Sequence, residues 1–290
     1  MKYFVSIENT SYFYWQVELL IESFKMHGLQ DDLYISIAEN MSPKLNANFK
    51  NLTSHPHIFL HENVGRERNY LPLNRIYSLE KLVREGNLEF PFTLIHSDMV
   101  LRNPLSTEKY KDFNIITNTY QAPVGEIDEI INFEEMKNNL ISSGIIGGDF
   151  EEFYYSHPII FNHAKGVTDS FKENFFKYLI YEIEVLLLES NKQKSSFEMA
   201  VWKKNLLNAT GHYKITGDVL AANITDQLKT PFVHYNKGIP PVFNKRFFKN
   251  EDSNQVLLSG INPFKQLIDL RSTSENSEYV AKVAESYLRG

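Results

Sequence analysis

At 290 residues and 42% hydrophobic content, the chain is long enough to bury a sizeable core and too apolar to be disordered. A net charge of −6 argues against a nucleic-acid partner, because displacing counterions from phosphates needs a basic face. The lack of cysteine excludes a disulfide framework, a thiolate metal site and a cysteine nucleophile.

The first half alternates strand and helix patterns. Tyr3-Phe4-Val5-Ser6-Ile7 is a short apolar strand, and no signal-peptide pattern precedes it. Thr10 or Ser11 can cap the following helix, which places Phe13, Val17, Leu20, Ile21 and Phe24 on one face. Gly28 is its stop. Leu33-Tyr34-Ile35-Ser36-Ile37 is a second strand, and His57-Ile58-Phe59-Leu60 a third beyond a loop-rich stretch. Leu71-Pro72 opens another helix, with proline suited to its first turn. Leu73, Ile76, Leu79 and Val83 face the sheet, and Gly86 ends the helix. Phe92-Thr93-Leu94-Ile95 is a buried-type strand running into His96-Ser97-Asp98.

Such alternation predicts an α/β protein with a mostly parallel sheet flanked by helices. Ligands of these sheets bind outside the carboxyl ends of the strands, where His96-Ser97-Asp98 falls. The second half is less regular. Ile115–Thr117 and Pro158–Asn162 read as strands, and 126–141, a stripe from Phe171 to Leu186, and Phe197–Leu207 as helices. Phe232-Val233-His234 is a late strand entering a Lys-Gly-Pro loop, and the tail from Ile261 is helical. One catalytic domain with C-terminal elaboration is expected. No apolar run approaches the ~18 residues of a membrane span, so no membrane span and a cytoplasmic protein are expected.

Two constellations carry chemistry. In Leu94-Ile95-His96-Ser97-Asp98-Met99-Val100 an apolar strand ends in a carboxylate. Asp98 can bind a hard divalent cation, and His96, two residues back, can point to the same side. The alternative is an aspartate closing a turn after a strand. In Phe232-Val233-His234-Tyr235-Asn236-Lys237-Gly238-Ile239-Pro240-Pro241, a histidine can ligate metal while Lys237 faces a diphosphate. A surface histidine and a solvated lysine in a proline-rich loop are the alternative.

Together these motifs resemble the retaining glycosyltransferases of GT-A type, which carry Asp-x-Asp at a strand end. Many of them, the glycogenin-like group included, add a late histidine followed by lysine, glycine and proline. Tyr70-Leu71-Pro72-Leu73-Asn74-Arg75 and Asp98-Met99-Val100-Leu101-Arg102-Asn103-Pro104 are similar to segments of the plant peptide arabinosyltransferases and serine galactosyltransferases. The resemblance covers about residues 1–245. It implies a GT-A, Rossmann-like catalytic domain over 1–250, with a nucleotide-binding half near 1–120, an acceptor half near 121–250 and a helical appendage over 251–290.

It further implies metal-assisted transfer of a sugar, with retention, from a nucleoside-diphosphate sugar, UDP-linked, to a hydroxyl acceptor that is a saccharide, a peptide or a lipid-linked group. Asp98 and His234 are then ligands of Mn2+ or Mg2+, and Lys237 touches the diphosphate. His96 stands where the family has its first acidic residue, so it is a third metal ligand or a nucleotide contact beside Ser97. By position, Ile7 and Asn9 at the end of the first strand face the base, and Asn74 and Arg75 lie in a first helical turn that favours an anion. Arg66 and Arg68 flank a loop over that edge. Glu198 resembles an acidic residue that touches donor or acceptor, yet Ser195 and Glu198 also spell a capping box. His157 and His163 read as ordinary loop residues. Three other readings stand: a sugar-nucleotide hydrolase, a nucleotidyltransferase, and a catalytically degenerate GT-A protein that binds a nucleotide or glycan. Glu8-Asn9-Thr10-Ser11-Tyr12 is not the glycine- and basic-rich loop of a nucleotidyltransferase.

Overall fold

A computed structural model describes residues 1–39, 49–67, 71, 73–106, 108, 112, 115–120, 154–161, 213–216, 220–227, 229–235, 262–271 and 273–290. The chain forms two compact units: Met1–Asn63 with Thr93–Ser106 and Val219–Gly290, and Val64–Phe92 with Thr107–Asp218.

In the first unit β1 (Lys2–Glu8) pairs in parallel with β2 (Leu33–Ala38), residue Tyr3 opposite Leu33, and β2 pairs in parallel with β3 (Ile58–His61). β4 (Phe92–Leu94) neighbours β1 on its other side, giving the order β3-β2-β1-β4. β2 is buried at every position, as expected of a strand covered on both faces. The third strand begins one residue later than its apolar pattern suggests.

Helix α1 (Ser11–Lys25) follows β1. Thr10 holds the N-cap position in extended backbone, but its side chain makes no capping bond. Its carbonyl instead accepts the N–H groups of Phe13 and Tyr14. Gly28, at φ +67°, supplies the left-handed turn after the helix. Of the expected stripe, Val17, Leu20, Ile21 and Phe24 are buried and Phe13 is half-buried; Gln16, Glu18 and Ser23 are buried as well. The helix is enclosed on several sides, because it meets short helix α2 (Lys50–Thr53), strand β5 (Met99–Leu101) and C-terminal helix α6 (Glu275–Arg289). Helix α5 (Pro263–Asp269) packs with α6. The helical tail thus lies in the first unit, where Phe264, Leu267, Val280, Val283 and Tyr287 join the same core as β1, α1 and β2. Tyr3 meets Phe24 edge-on at 4.8 Å, a geometry that adds ~0.5–1.5 kcal/mol to area burial.

A second, three-stranded sheet belongs to this unit. β10 (Phe232–His234) lies between β5, antiparallel, and β9 (Ala221–Asn223), parallel. Neither β5 nor β9 stands out in the sequence.

The second unit holds α3 (Val64–Glu67) and α4 (Leu73–Arg84). It also holds β6 (Ile115–Tyr120), antiparallel to β7 (Tyr154–Phe161) and parallel to β8 (Tyr213–Thr216). Leu73, Ile76 and Leu79 of α4 are buried as expected, but Leu82 replaces Val83 on the covered face. Phe92 meets Phe161 at 4.8 Å. The helices expected at 126–141, along Phe171–Leu186 and at Phe197–Leu207 lie outside the described residues.

Candidate metal and nucleotide site

The site starts from a register. In the β5–β10 ladder, Met99 faces His234, Val100 faces Val233 and Leu101 faces Phe232. The ladder continues one step, with the Tyr235 N–H donating to the Asp98 carbonyl at 3.0 Å. Residues 98 and 234 therefore meet although 136 positions separate them. The Nε2 of His234 lies 3.0 Å from Oδ1 of Asp98. The Nδ1 of His96 lies 3.7 Å from the same oxygen. The two imidazole rings sit 5.5 Å apart, inclined at 73°. One ligand atom from each of the three residues falls within 4.8 Å of the others.

Burial suits an exchangeable ion. The Asp98 side chain keeps 11% of its exposure, His234 19% and His96 27%, so the histidines are more open to water and ligands than the carboxylate. The segment that carries Asp98 is held by α1. The Ser97 hydroxyl donates to Oε1 of Gln16 at 3.1 Å, and the Gln16 amide donates to the Tyr12 carbonyl. Seven residues on, Ser23 Oγ accepts the Leu101 N–H at 3.0 Å while donating to the Leu20 carbonyl. A spacing of seven is two helical turns, so both side chains project from one face and grip the segment 97–101 at its two ends. Tyr235, fully buried against Trp15 at 5.9 Å, fixes the other strand. Burial and the Asp98 charge push its phenol well above the usual tyrosine range, so it stays neutral.

The remaining sequence candidates fall as follows. Ile7 is a core residue of β1. Asn9, just past β1, donates through its amide to Glu39 and accepts from the Tyr14 hydroxyl. Burial raises the Glu39 carboxyl, and the Asn9 bond partly offsets that. Asn74 and Arg75 open α4 in the second unit, where Oδ1 of buried Asn74 accepts the Gly65 N–H at 2.8 Å. Lys237, Glu198, Arg68 and His163 lie outside the described residues, as do the side chains of Arg66 and His157. Sequence reasoning missed Gln16, Ser23 and Tyr235. The signal available for the first two was a pair of polar residues seven apart beside an apolar stripe.

No family model and no curated protein matches the sequence. Solved structures do match the fold. The galactosyltransferase LgtC, in complex with donor and acceptor sugar analogues, superposes with a TM-score of 0.53 at 10% identity, covering 99% of this chain and 96% of that one. The bifunctional glycosyltransferase WbbM in its apo form gives 0.50 at 14% identity, covering 98% of this chain. The chain spans about half the length of WbbM, at 51%. The fold is therefore the GT-A-like fold of glycosyltransferases, α/β with a mostly parallel sheet flanked by helices. Among the described residues no helix is long and apolar enough to cross a membrane.

Proposed function

We propose that this chain is a cytoplasmic glycosyltransferase. It moves a hexose or pentose from a nucleoside-diphosphate sugar, UDP-linked, to a hydroxyl of a saccharide, peptide or lipid-linked acceptor, with retention. The observation that carries this reading is the His96–Asp98–His234 cluster, set beside the strand ends of a GT-A-like fold.

The donor set fits a divalent ion of the Mn2+ kind. Two imidazoles and one carboxylate cluster within 4.8 Å, and such a nitrogen and oxygen set suits a transition ion. His96, Asp98 and His234 would hold the ion, which when bound supplies Lewis-acid neutralisation of charge on the departing diphosphate. Lys237, three residues beyond His234, adds a second positive charge toward that diphosphate. Asn9 and the end of β1 face the base, with Ile7 beneath it and Ser97 fixing the loop. Glu198 contacts donor or acceptor. A retaining reaction needs no strong general base, because the leaving phosphate can take the acceptor proton, and no poised carboxylate pair is called for.

His96 in an ordinarily acidic position favours a second reading, a degenerate protein that binds nucleotide without transfer. Calorimetric titration with uridine diphosphate, with and without Mn2+, on wild type and Asp98→Ala, tests the donor site. Binding that needs both the ion and Asp98 supports it. Silence with uridine and all other nucleoside diphosphates refutes an active transferase. Incubation with sugar nucleotides, with and without acceptor, then separates transfer, hydrolysis and mere binding by their products.

A further inference from the structure

The chemistry of the cluster says more than that a cation binds. Two carboxylates and one imidazole would present two negative charges and mostly oxygen. Here the three donors are two nitrogens and one oxygen, with one formal negative charge. Mg2+ demands oxygen, sheds its water reluctantly and is held chiefly by charge. Imidazole nitrogen suits transition ions, whose affinity for a given nitrogen-containing site rises from Mn2+ towards Co2+ and beyond.

Geometry supports His96 as a ligand rather than a bystander. Two donors at right angles on an ion with bonds of ~2.1 Å stand about 3.0 Å apart, and tetrahedral ones about 3.4 Å apart. The His234–Asp98 separation is 3.0 Å and the His96–Asp98 separation 3.7 Å, so the first pair matches these spacings and the second lies just beyond them. The two rings lie 5.5 Å apart and inclined at 73°, so they are not stacked face to face on each other. The Tyr235–Asp98 backbone bond and the Gln16 and Ser23 contacts fix the carboxylate-bearing segment, leaving side-chain rotation as the adjustment.

We infer that His96 is a metal ligand through Nδ1 and that it makes this site selective for nitrogen-preferring transition ions, ranking Co2+ above Mn2+ and Mg2+ last. The inference rests on the proposed metal-assisted donor site and specifies which ion it takes. It also assigns His96 over the alternative of a nucleotide contact.

The test is calorimetric titration of the full chain with Mg2+, Mn2+ and Co2+, each with uridine diphosphate present, on wild type, His96→Asp, His96→Ala and Asp98→Ala. Pulsed electron paramagnetic resonance of the Mn2+ form counts coupled imidazole nitrogens. Wild type should favour Co2+ over Mg2+ by at least ~100-fold. His96→Asp should reduce that ratio at least ~10-fold, mainly by gaining Mg2+ affinity. Mn2+ should show two coupled imidazoles in wild type and one in either His96 variant. Asp98→Ala should abolish the signal, which excludes the other histidines as its source. Equal Co2+ and Mg2+ affinities in wild type, or one imidazole in wild type and variants alike, overturns the selectivity while leaving the metal site standing. The absence of binding by any of the three ions overturns the metal-assisted reading as well. Because the wild-type ratio and nitrogen count need no variant, a misfolded substitution does not spoil the test.

Discussion

Glu18 offers the most exposed test of how the first unit is held. It is fully buried in α1, and its carboxylate accepts the Leu52 N–H at 2.6 Å and the Asn51 N–H at 3.1 Å. Those groups belong to the first turn of α2, whose donors have no partner inside so short a helix. Glu18→Ala leaves both unsatisfied away from water, at about 1–3 kcal/mol each. Removal of a buried carboxylate relieves a desolvation penalty, so the net loss should be about 3 kcal/mol, which is a factor of roughly 150 in the folding equilibrium. Urea unfolding followed by the fluorescence of Trp15, one turn away on the same helix, measures it. Hydrogen exchange localises it: the Asn51 and Leu52 amides should lose protection, while Thr53, which donates to the Phe49 carbonyl, is the internal reference. A pH arm adds a sign. Burial, partly offset by the Leu52 N–H, the Tyr287 hydroxyl and the Asn51 N–H, raises the Glu18 carboxyl above 4.5 in the folded state. The folded chain keeps this proton longer than the unfolded chain, so this contribution is full below 4.5 and is lost as pH rises through the elevated folded value. Glu18→Gln should flatten that part of the profile. A loss under about 1 kcal/mol in Glu18→Ala, far below the two-bond expectation, or unchanged exchange at Asn51 and Leu52, would refute this account of the cap.

Ser274 caps α6 by accepting the Ser277 N–H at 2.9 Å, and Ser277 returns the bond. Ser274→Ala should lower stability by about 1 kcal/mol in urea unfolding. Gln16→Leu removes the partner of the buried Ser97 hydroxyl, so Mn2+ affinity should fall severalfold by calorimetry while circular dichroism shows the fold retained. Burial lowers the His55 imidazole despite its 2.7 Å bond to the Leu33 carbonyl. The unfolded chain therefore takes up this proton first, and the stability from neutral His55 should be lost as pH falls below 6.5. His55→Gln should remove that acid-side slope in pH-dependent unfolding. Asp98→Ala should abolish Mn2+-dependent nucleotide binding in titration while preserving β5, which pairs through its backbone.

The alternation of β1, α1, β2, β3 and β4 was legible because it rests on local periodicity: period two in strands, 3.6 in helices, and a glycine at the positive-φ turn after α1. The strands that lead to Asp98 and His234 were legible, since apolar runs ending in polar side chains mark strand ends. What the sequence understated was enclosure. A stripe on α1 predicts one buried face, but α6 and β5 cover others, so Gln16, Glu18 and Ser23 became interior groups with paired bonds. Asn74 shows a similar limit: its place in a first helical turn was readable, its bond to the Gly65 N–H was not, because that depends on a short helix with no clear pattern. The resemblance implied that His96, Asp98 and His234 share an ion, but no local pattern shows that they meet; the tertiary structure brings them together. β5 and β10 have three residues each, too few to show a period, and their antiparallel register, with Met99 opposite His234, brings Asp98 within reach of His234 across 136 positions. Periodicity reports which side of an element faces the core, because it arises within a few residues; which strand lies beside it is set by backbone pairing between distant segments, and only the folded chain fixes that pairing.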